Sequence, residues 1–99
     1  MKFNNDHLNV LRKIKNNPKH SQRMLANDLG FSVGKLNYCL KALKNKGLIK
    51  IHNFKISKKK INYIYVLTPK GISEKTKLTL SFMKRKMQEY DELKREMEE

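Results

Sequence analysis

The stretch SQRMLANDLGFSVGKLNYCLKALKNKGL, residues 21–48, decides the fold of this chain. Its apolar residues recur every three or four positions, which is the period of an α-helix. Ser21 and Ser32 each precede such a periodic segment, where a serine hydroxyl accepts a hydrogen bond from a free backbone N–H of the first turn. Gly30 and Gly47 follow the segments, where helices commonly end in a left-handed residue. The stretch therefore predicts two helices joined by a tight turn.

The two predicted helices cover residues 22–29 and 33–46, and each buries one face. The first helix is expected to direct four side chains inward: Met24, Leu25, Ala26 and Leu29. The second helix has leucines at i, i+4 and i+7 that face the same core: Leu36, Leu40 and Leu43. We expect Phe31 to plug the core from the turn. Two helices joined by a short turn that contains glycine have the layout of a helix-turn-helix.

The flanking residues predict a helix before this unit and a hairpin after it. We expect the first helix to run from Asp6, as its N-cap, to about Asn16, because Pro18 disfavours helical geometry in the residue before it. Residues 48–54 and 61–67 are rich in β-formers, and the second run alternates as a strand does. These two runs predict an antiparallel hairpin with a lysine-rich tip, which would be the wing of a winged helix-turn-helix.

A long helix is predicted at the end of the chain. Thr68 is a favoured N-cap and Pro69 fits the first helical position, and Gly71 is the single helix breaker beyond them. The predicted fold class is mainly α with a small β-hairpin (α+β). We expect two domains, a winged helix-turn-helix over residues 1–69 and a C-terminal dimerisation helix or coiled coil over residues 70–99.

Positive charge is concentrated in the first two thirds of the chain. The sequence has 23 Lys and Arg against 9 Asp and Glu, a formal charge of +14. Residues 1–69 hold 15 of the basic residues and two of the acids, so they carry +13 of that charge. A polyanion is therefore the first partner to consider for this part of the chain.

Several segments of the sequence resemble the MarR-type winged-helix regulators, and among them most closely the exopolysaccharide-associated subgroup. These segments are residues 21–26, 29–32, 34–43, 46–48 and 67–71. The resemblance extends over about residues 7–97. It implies a transcriptional regulator that binds a palindromic double-stranded DNA operator as a homodimer.

The third helix carries the residues expected to read DNA bases. Gly34, Asn37, Tyr38 and Lys41 lie opposite the leucine stripe on a helix that fits the major groove, where base edges differ in donors and acceptors. Asn37 can pair with adenine, Lys41 can reach guanine or phosphate, and Tyr38 can contact a base or a sugar. Gly34 allows a close approach to the DNA backbone. The alternative is an ordinary polar helix face.

A second set of residues is expected to contact phosphates. Helix starts favour anions through their free N–H groups, and five candidates lie at or near them: Ser21, Gln22, Arg23, Ser32 and Lys35. Four lysines of the wing suit the DNA backbone or the adjacent minor groove: Lys55, Lys58, Lys59 and Lys60. The alternative for these lysines is a solvated loop.

The last helix is expected to form the dimer. An apolar stripe begins at Ile72 and Thr76 and continues through the predicted dimerisation residues, with Lys94 as an alternative to Leu93: Leu80, Met83, Met87, Tyr90, Leu93 and Met97. Steps of three and four residues are typical of a two-helix seam. An antiparallel pair would set the basic block at 84–86 against the acidic end of the partner helix. The alternative is a lone helix folded back on its own domain.

Other features of the sequence predict neither catalysis nor a bound cofactor. Cys39 is expected to be a buried apolar residue, and His7, His20 and His52 lack partners at metal-ligand spacing. No catalytic triad or paired-carboxylate arrangement is present, so we expect no enzyme. The single cysteine, the lack of an apolar run of about 20 residues and the absence of a signal-like start predict a cytoplasmic protein without membrane contact.

Two other functions fit part of the sequence. An RNA- or ribosome-binding protein would match the size and charge, and would expose aromatic residues such as Tyr63 and Tyr65 on a sheet for base stacking. It would leave the helix-turn-helix spacing unexplained. A winged helix that binds only protein would leave the charge of residues 1–69 unexplained.

Overall fold

The computed structural model describes residues 3–57 and 60–99. Side chains are described for all of these residues except 54–57 and 60–62. It confirms the predicted fold class, a winged helix-turn-helix that is mainly α with a small β-hairpin and continues into a long C-terminal helix. The elements in chain order are α1 (Asn5–Asn16), α2 (Gln22–Leu29), α3 (Val33–Asn45), β1 (Ile49–Ser57), β2 (Lys60–Leu67) and α4 (Pro69–Glu98).

The caps predicted for the helix-turn-helix are present. Ser21 Oγ accepts a hydrogen bond from the Met24 N–H at 3.2 Å, and Ser32 Oγ accepts one from the Lys35 N–H at 3.1 Å. Gly30 ends α2 with a left-handed φ of 68°. Helix α3 ends at Asn45, one residue before the predicted end, because the next residue already leaves the regular helical backbone as the C-cap.

The N-cap of α1 differs from the prediction. The cap is Asn4, whose side chain accepts from the N–H groups of Asp6 and His7, and Asp6 lies inside the first turn. The Asn4 N–H in turn donates to His7 Nδ1 at 3.1 Å, which completes a capping box. Asn and Asp cap helices about equally well, so the reciprocal bond from the residue three positions later favours Asn4.

The core lies where α1, α2, α3 and the hairpin meet. It consists of Val10, Leu11, Ile14, Leu25, Ala26, Leu36, Cys39, Leu40, Leu43, Leu48, Ile49 and Tyr65, with Leu29, Phe31 and Leu78 packed at its edge. The prediction that Met24 points inward is wrong, since this side chain is 47% exposed. Successive helical residues differ by about 100° in direction, so Met24 lies off the face that Leu25 and Leu29 share.

The hairpin is longer than predicted. Its antiparallel register runs from Ile49 opposite Leu67 to Ser57 opposite Lys60, with an irregularity between Lys55 and Ser57. The lysine-rich composition of residues 55–60 predicts that strand pairing stops at residue 54. Strand pairing uses backbone groups, so polar residues near the tip do not prevent it.

Helix α4 is fixed to the domain at its first turn. Thr68 Oγ1 accepts from the Gly71 N–H at 3.0 Å and donates to the Gly47 carbonyl oxygen at 2.6 Å, as part of the predicted N-cap. A Cβ at Gly71 would lie 1.9 Å from the carbonyl oxygen of Leu48, so the close contact requires glycine. Although α4 has 30 residues, neither it nor another helix within 3–57 and 60–99 is apolar enough to cross a membrane.

Candidate nucleic-acid interface

The outer face of α3 presents the residues predicted to read bases. Gly34, Asn37, Tyr38 and Lys41 are all exposed, and Tyr38 keeps 68% of its surface accessible. The opposite face is buried through its leucines, so the helix cannot rotate to hide this one. No atom lies within 4 Å of the position where a Cβ on Gly34 would stand, so the first turn is open to a close approach.

An open groove runs beside the start of α2 and combines three predicted phosphate contacts with residues that the sequence analysis missed. Its lining is Lys19, Ser21, Gln22, Arg23, Met24, Val33 and Tyr63. Lys19 adds a cation just before the helix, and Tyr63 reaches the groove from β2. Tyr63 shares a strand face with the buried Tyr65, and that alternation is the signal that could have placed it here.

The electrostatics of this region favour an anion. Neither α2 nor α3 has an acidic residue in its first turn, so the positive ends of both helix dipoles are not neutralised there. Lys19 and Arg23 add charge in the groove beside α2, and Lys41 adds charge on the face of α3. Backbone N–H groups at helix starts and nearby cations are the arrangement that binds phosphate oxygens.

Two of the predicted site residues contact each other directly. Gln22, the first residue of α2, donates a hydrogen bond from its Nε2 to the Oδ1 of Asn37 on the second turn of α3. The contact joins a predicted phosphate contact to a predicted base contact. The two residues are 15 positions apart in the sequence, so no local pattern predicts this contact.

Lys35 is engaged with α1 and with the turn before α3. Its Nζ is 3.2 Å from the Asp6 carboxylate and 4.2 Å from the centre of the Phe31 ring. Residues two positions apart on a helix do not share a face, so Lys35 points away from Asn37. A phosphate contact of Lys35 stays a prediction, and the ion pair with Asp6 would compete with it.

The wing lysines are placed only in part. Lys55 lies on β1 opposite Ile61, and Lys60 lies on β2 opposite Ser57, whereas Lys58 and Lys59 lie outside the described residues. The predicted contacts of all four with DNA stay predictions.

Two of the remaining titratable candidates, Cys39 and His7, are buried. Cys39 is 3% exposed, as predicted, and burial raises the pKa of its thiol. Burial also lowers the pKa of His7 below its ordinary value, an effect that the nearby Asp6 carboxylate partly opposes. No group of three His, Cys, Asp or Glu that could hold a metal ion occurs in the described ranges 3–57 and 60–99.

The apolar stripe of α4 is exposed along its whole length. The six predicted dimerisation residues are between 53% and 82% accessible. Gly71 and Leu78, which contact the domain, lie on a different side of the helix. The stripe is therefore separate from the surface that holds α4 to its own domain.

Comparison with known proteins supports the same fold. Residues 7–50 match the family described as winged helix-turn-helix DNA-binding. The chain also superposes on the transcriptional repressor CouR bound to a 23-mer DNA duplex, with a TM-score of 0.77 and 23% identity over 93% of this chain and 63% of CouR. The chain has the winged helix-turn-helix fold of these regulators. No curated protein gives a significant sequence match.

Two further solved structures belong to the same group of similar folds. The PcaV transcriptional regulator from Streptomyces coelicolor, in complex with its natural ligand, gives a TM-score of 0.73 at 14% identity over 94% of this chain and 73% of PcaV. ZitR from Lactococcus lactis, a zinc-responsive MarR family member, gives 0.67 at 20% identity over 94% of this chain and 62% of ZitR. The chain thus spans less than two thirds of CouR and of ZitR.

Proposed function

We propose that this protein is a sequence-specific, double-stranded DNA-binding transcriptional regulator of the MarR type that acts as a homodimer. The observation that carries the proposal is the exposed face of α3, which presents Asn37, Tyr38 and Lys41 beside two helix starts without acidic residues. The segments quoted above further favour the exopolysaccharide-associated subgroup. We also propose that the protein acts in the cytoplasm.

In the proposed complex α3 lies in the major groove. Asn37 offers both a donor and an acceptor, which matches the N7 and N6 groups of adenine, and Lys41 can donate to guanine or to a phosphate. Ser21 and Arg23 at the start of α2 suit backbone phosphates, and Lys19 and Tyr63 extend that contact along the groove. The lysines of the hairpin would reach the flanking backbone or the minor groove.

RNA binding is less well supported by the sheet. Recognition of single-stranded RNA by a sheet typically stacks two or three bases on exposed aromatic residues. Tyr65 is buried in the core, which leaves Tyr63 as the exposed sheet aromatic among the side chains described. A single ring is a poor stacking platform, whereas the helix-turn-helix accounts for both the charge and the exposed polar face.

A second copy of the chain is the partner proposed for α4. A helix of 30 residues is about 45 Å long. Arg85 Nη2 donates to Asn5 Oδ1 of α1 at 2.8 Å, and the residues beyond it, 86–99, are all exposed. An exposed stripe of methionine, leucine and tyrosine at steps of three and four residues fits a two-helix seam. In an antiparallel pair Lys84 and Lys86 would face the partner's Glu98 and Glu96, which favours that direction modestly.

Selection of bound duplexes from a random pool tests the proposal. We expect enrichment of a sequence with two symmetric half-sites, because a two-fold dimer presents two copies of α3. A competition between the enriched duplex and structured RNA should favour the duplex. Failure to enrich any sequence, or tighter binding of the RNA, would contradict the proposal.

A further inference from the structure

Gln22 and Asn37 connect α2 and α3 at the surface proposed to face DNA. Gln22 is half-buried at the first position of α2, and Asn37 is exposed on α3. The Nε2 group of Gln22 donates to Oδ1 of Asn37. Within residues 3–57 and 60–99, no other hydrogen bond between side chains of these two helices is present. The pair is therefore a specific link and not one member of a larger network.

This hydrogen bond determines which way the Asn37 amide faces. A free asparagine side chain on a helix surface can turn its carbonyl and its amino group to either side. With Gln22 as donor, the carbonyl oxygen is held toward α2, and the amino group with its two N–H donors is directed away from Gln22. The carbonyl oxygen retains a second lone pair, because a carbonyl can accept two hydrogen bonds.

The groups that remain free on Asn37 match adenine. The major-groove edge of adenine has an acceptor at N7 and a donor at N6, and asparagine reads it with one N–H donor and one carbonyl lone pair. Both are still available in the Gln22-bound orientation. Guanine presents two acceptors at the same edge, so the carbonyl of Asn37 would have no donor to meet there.

We infer that Gln22 is a positioning residue for adenine recognition, which holds the Asn37 amide in the orientation that reads the base. This assigns Gln22 to base readout in place of the phosphate contact predicted from the sequence. The inference rests on the proposed function, because it places α3 in the major groove. Ser21 and Arg23 retain the phosphate contacts at the start of α2.

A double-mutant cycle on the full-length protein tests the inference. The variants are Gln22→Met, which keeps the length of the side chain but removes its donor, Asn37→Ala, and the double variant. Each is measured on the selected duplex and on a duplex in which the A·T pair read by Asn37 is changed to G·C in both half-sites. Circular dichroism and thermal unfolding establish that each variant is folded.

We expect the wild type to prefer A·T at that pair by roughly 5- to 150-fold per half-site, as for a good bidentate contact. Gln22→Met should lose most of this preference, and the double variant should lose no more than Asn37→Ala alone. Gln22→Met should lose more affinity for the selected duplex than for a random duplex. The matched control is Arg23→Met at the next position, which should weaken all duplexes about equally and reduce the salt dependence.

Three results would overturn the inference. These are full A·T preference in Gln22→Met, additive losses in the double variant, or equal losses of affinity for the selected and the random duplex in Gln22→Met. If Asn37→Ala relaxes base preference and Gln22→Met does not, the inference alone fails. If Asn37→Ala leaves base preference unchanged, the proposed readout by α3 fails, and the role of Gln22 fails with it.

Discussion

The winged helix-turn-helix and the second half of α4 differ in the charge and polarity of their exposed surfaces. Residues 1–69 carry +13 of the net charge and bury a core assembled from three helices and the hairpin, so their exposed surface is predominantly basic. Residues 70–99 have nearly balanced charge, and beyond Leu80 they keep their apolar side chains exposed. A predominantly basic surface suits a polyanion, whereas an apolar stripe with mixed charges suits a protein helix of the same kind. The proposed DNA binding and the proposed dimerisation therefore fall in different parts of the chain.

The largest expected effect is that of salt concentration on the affinity of residues 1–69 for DNA. If one dimer engages on the order of 8 phosphates, the logarithm of the association constant should fall with the logarithm of salt concentration at a slope near −7. Between 50 and 200 mM salt this amounts to a loss of roughly 10⁴-fold. Titration of a labelled duplex by fluorescence anisotropy at four salt concentrations measures the slope. A flat response would contradict the electrostatic account of residues 1–69.

The second expected effect concerns the stripe of α4. Changing Met83 and Met87 to Glu would bury carboxylates in the seam, which should weaken association by about 3 kcal/mol or more, roughly 100-fold. Gln88→Glu adds a single carboxylate on another face of the helix and is the control. Sedimentation equilibrium should give a monomer for the double variant and a dimer for the control. The deletion of residues 82–99 should also give a monomer, and a truncated chain that remains a tight dimer would refute the assignment.

The direction of the dimer can be tested separately in the same helix. With Cys39→Ser as background, Tyr90→Cys should crosslink to its symmetry mate under mild oxidation, because an antiparallel pair crosses near this position. Glu98→Cys should remain uncrosslinked in that arrangement. Crosslinking at 98 would indicate parallel helices and would leave dimerisation itself unaffected.

The junction between the two regions should depend on Gly71. A Cβ there would meet the Leu48 carbonyl oxygen at 1.9 Å, so Gly71→Ala should destabilise the fold by about 3 kcal/mol. Gly34→Ala is the matched control, because its Cβ would stand in open space and alanine favours a helix by roughly 0.5–1 kcal/mol. Urea unfolding measures both. A Gly71→Ala protein as stable as the wild type would contradict the contact with Leu48. Gly34→Ala should still weaken DNA binding if α3 approaches the DNA backbone closely.

The smallest effect concerns the pH dependence of stability through His7. Its pKa is lowered in the fold by burial, so between that value and the unfolded value of 6.5 the unfolded chain binds more protons. This contribution to the free energy of unfolding is fully present above pH 6.5 and is lost as the pH falls through the folded pKa. His7→Gln keeps a side chain able to complete the capping box with Asn4 and removes the titration. Unfolding curves from pH 8 to pH 5 should be less pH-dependent for the variant, and identical dependence would contradict the role of His7.

Local signals were sufficient to predict the helix-turn-helix. Ser21, Ser32 and the glycines that follow each helix are read from neighbouring residues, and each acts within one turn of the backbone. The start of α1 was missed because Asn4 and Asp6 are both good caps, and the choice depends on a side-chain bond from His7. Caps can be predicted from the sequence where a single candidate is present.

Contacts between distant segments could not be predicted from local patterns. Lys35 lies at a helix start that suits phosphate, yet it pairs with Asp6 from α1. The bond from Gln22 to Asn37 likewise depends on how two helices are placed in the fold. The amphipathic pattern predicted which face of α3 is exposed, but not which neighbours its polar residues would meet.

We propose that α3 reads the bases, whereas the wing lysines contact the DNA without selecting the sequence. The base preference of variants in each region tests this difference most directly. Selection of duplexes should be repeated with Asn37→Ala, with Tyr38→Ala and with Lys59→Ala, a wing residue outside the described ranges. We predict that the two α3 variants relax the preferred sequence, whereas Lys59→Ala weakens all duplexes about equally and keeps the preference. A changed sequence preference in Lys59→Ala, with the wild-type preference retained by both α3 variants, would contradict the account.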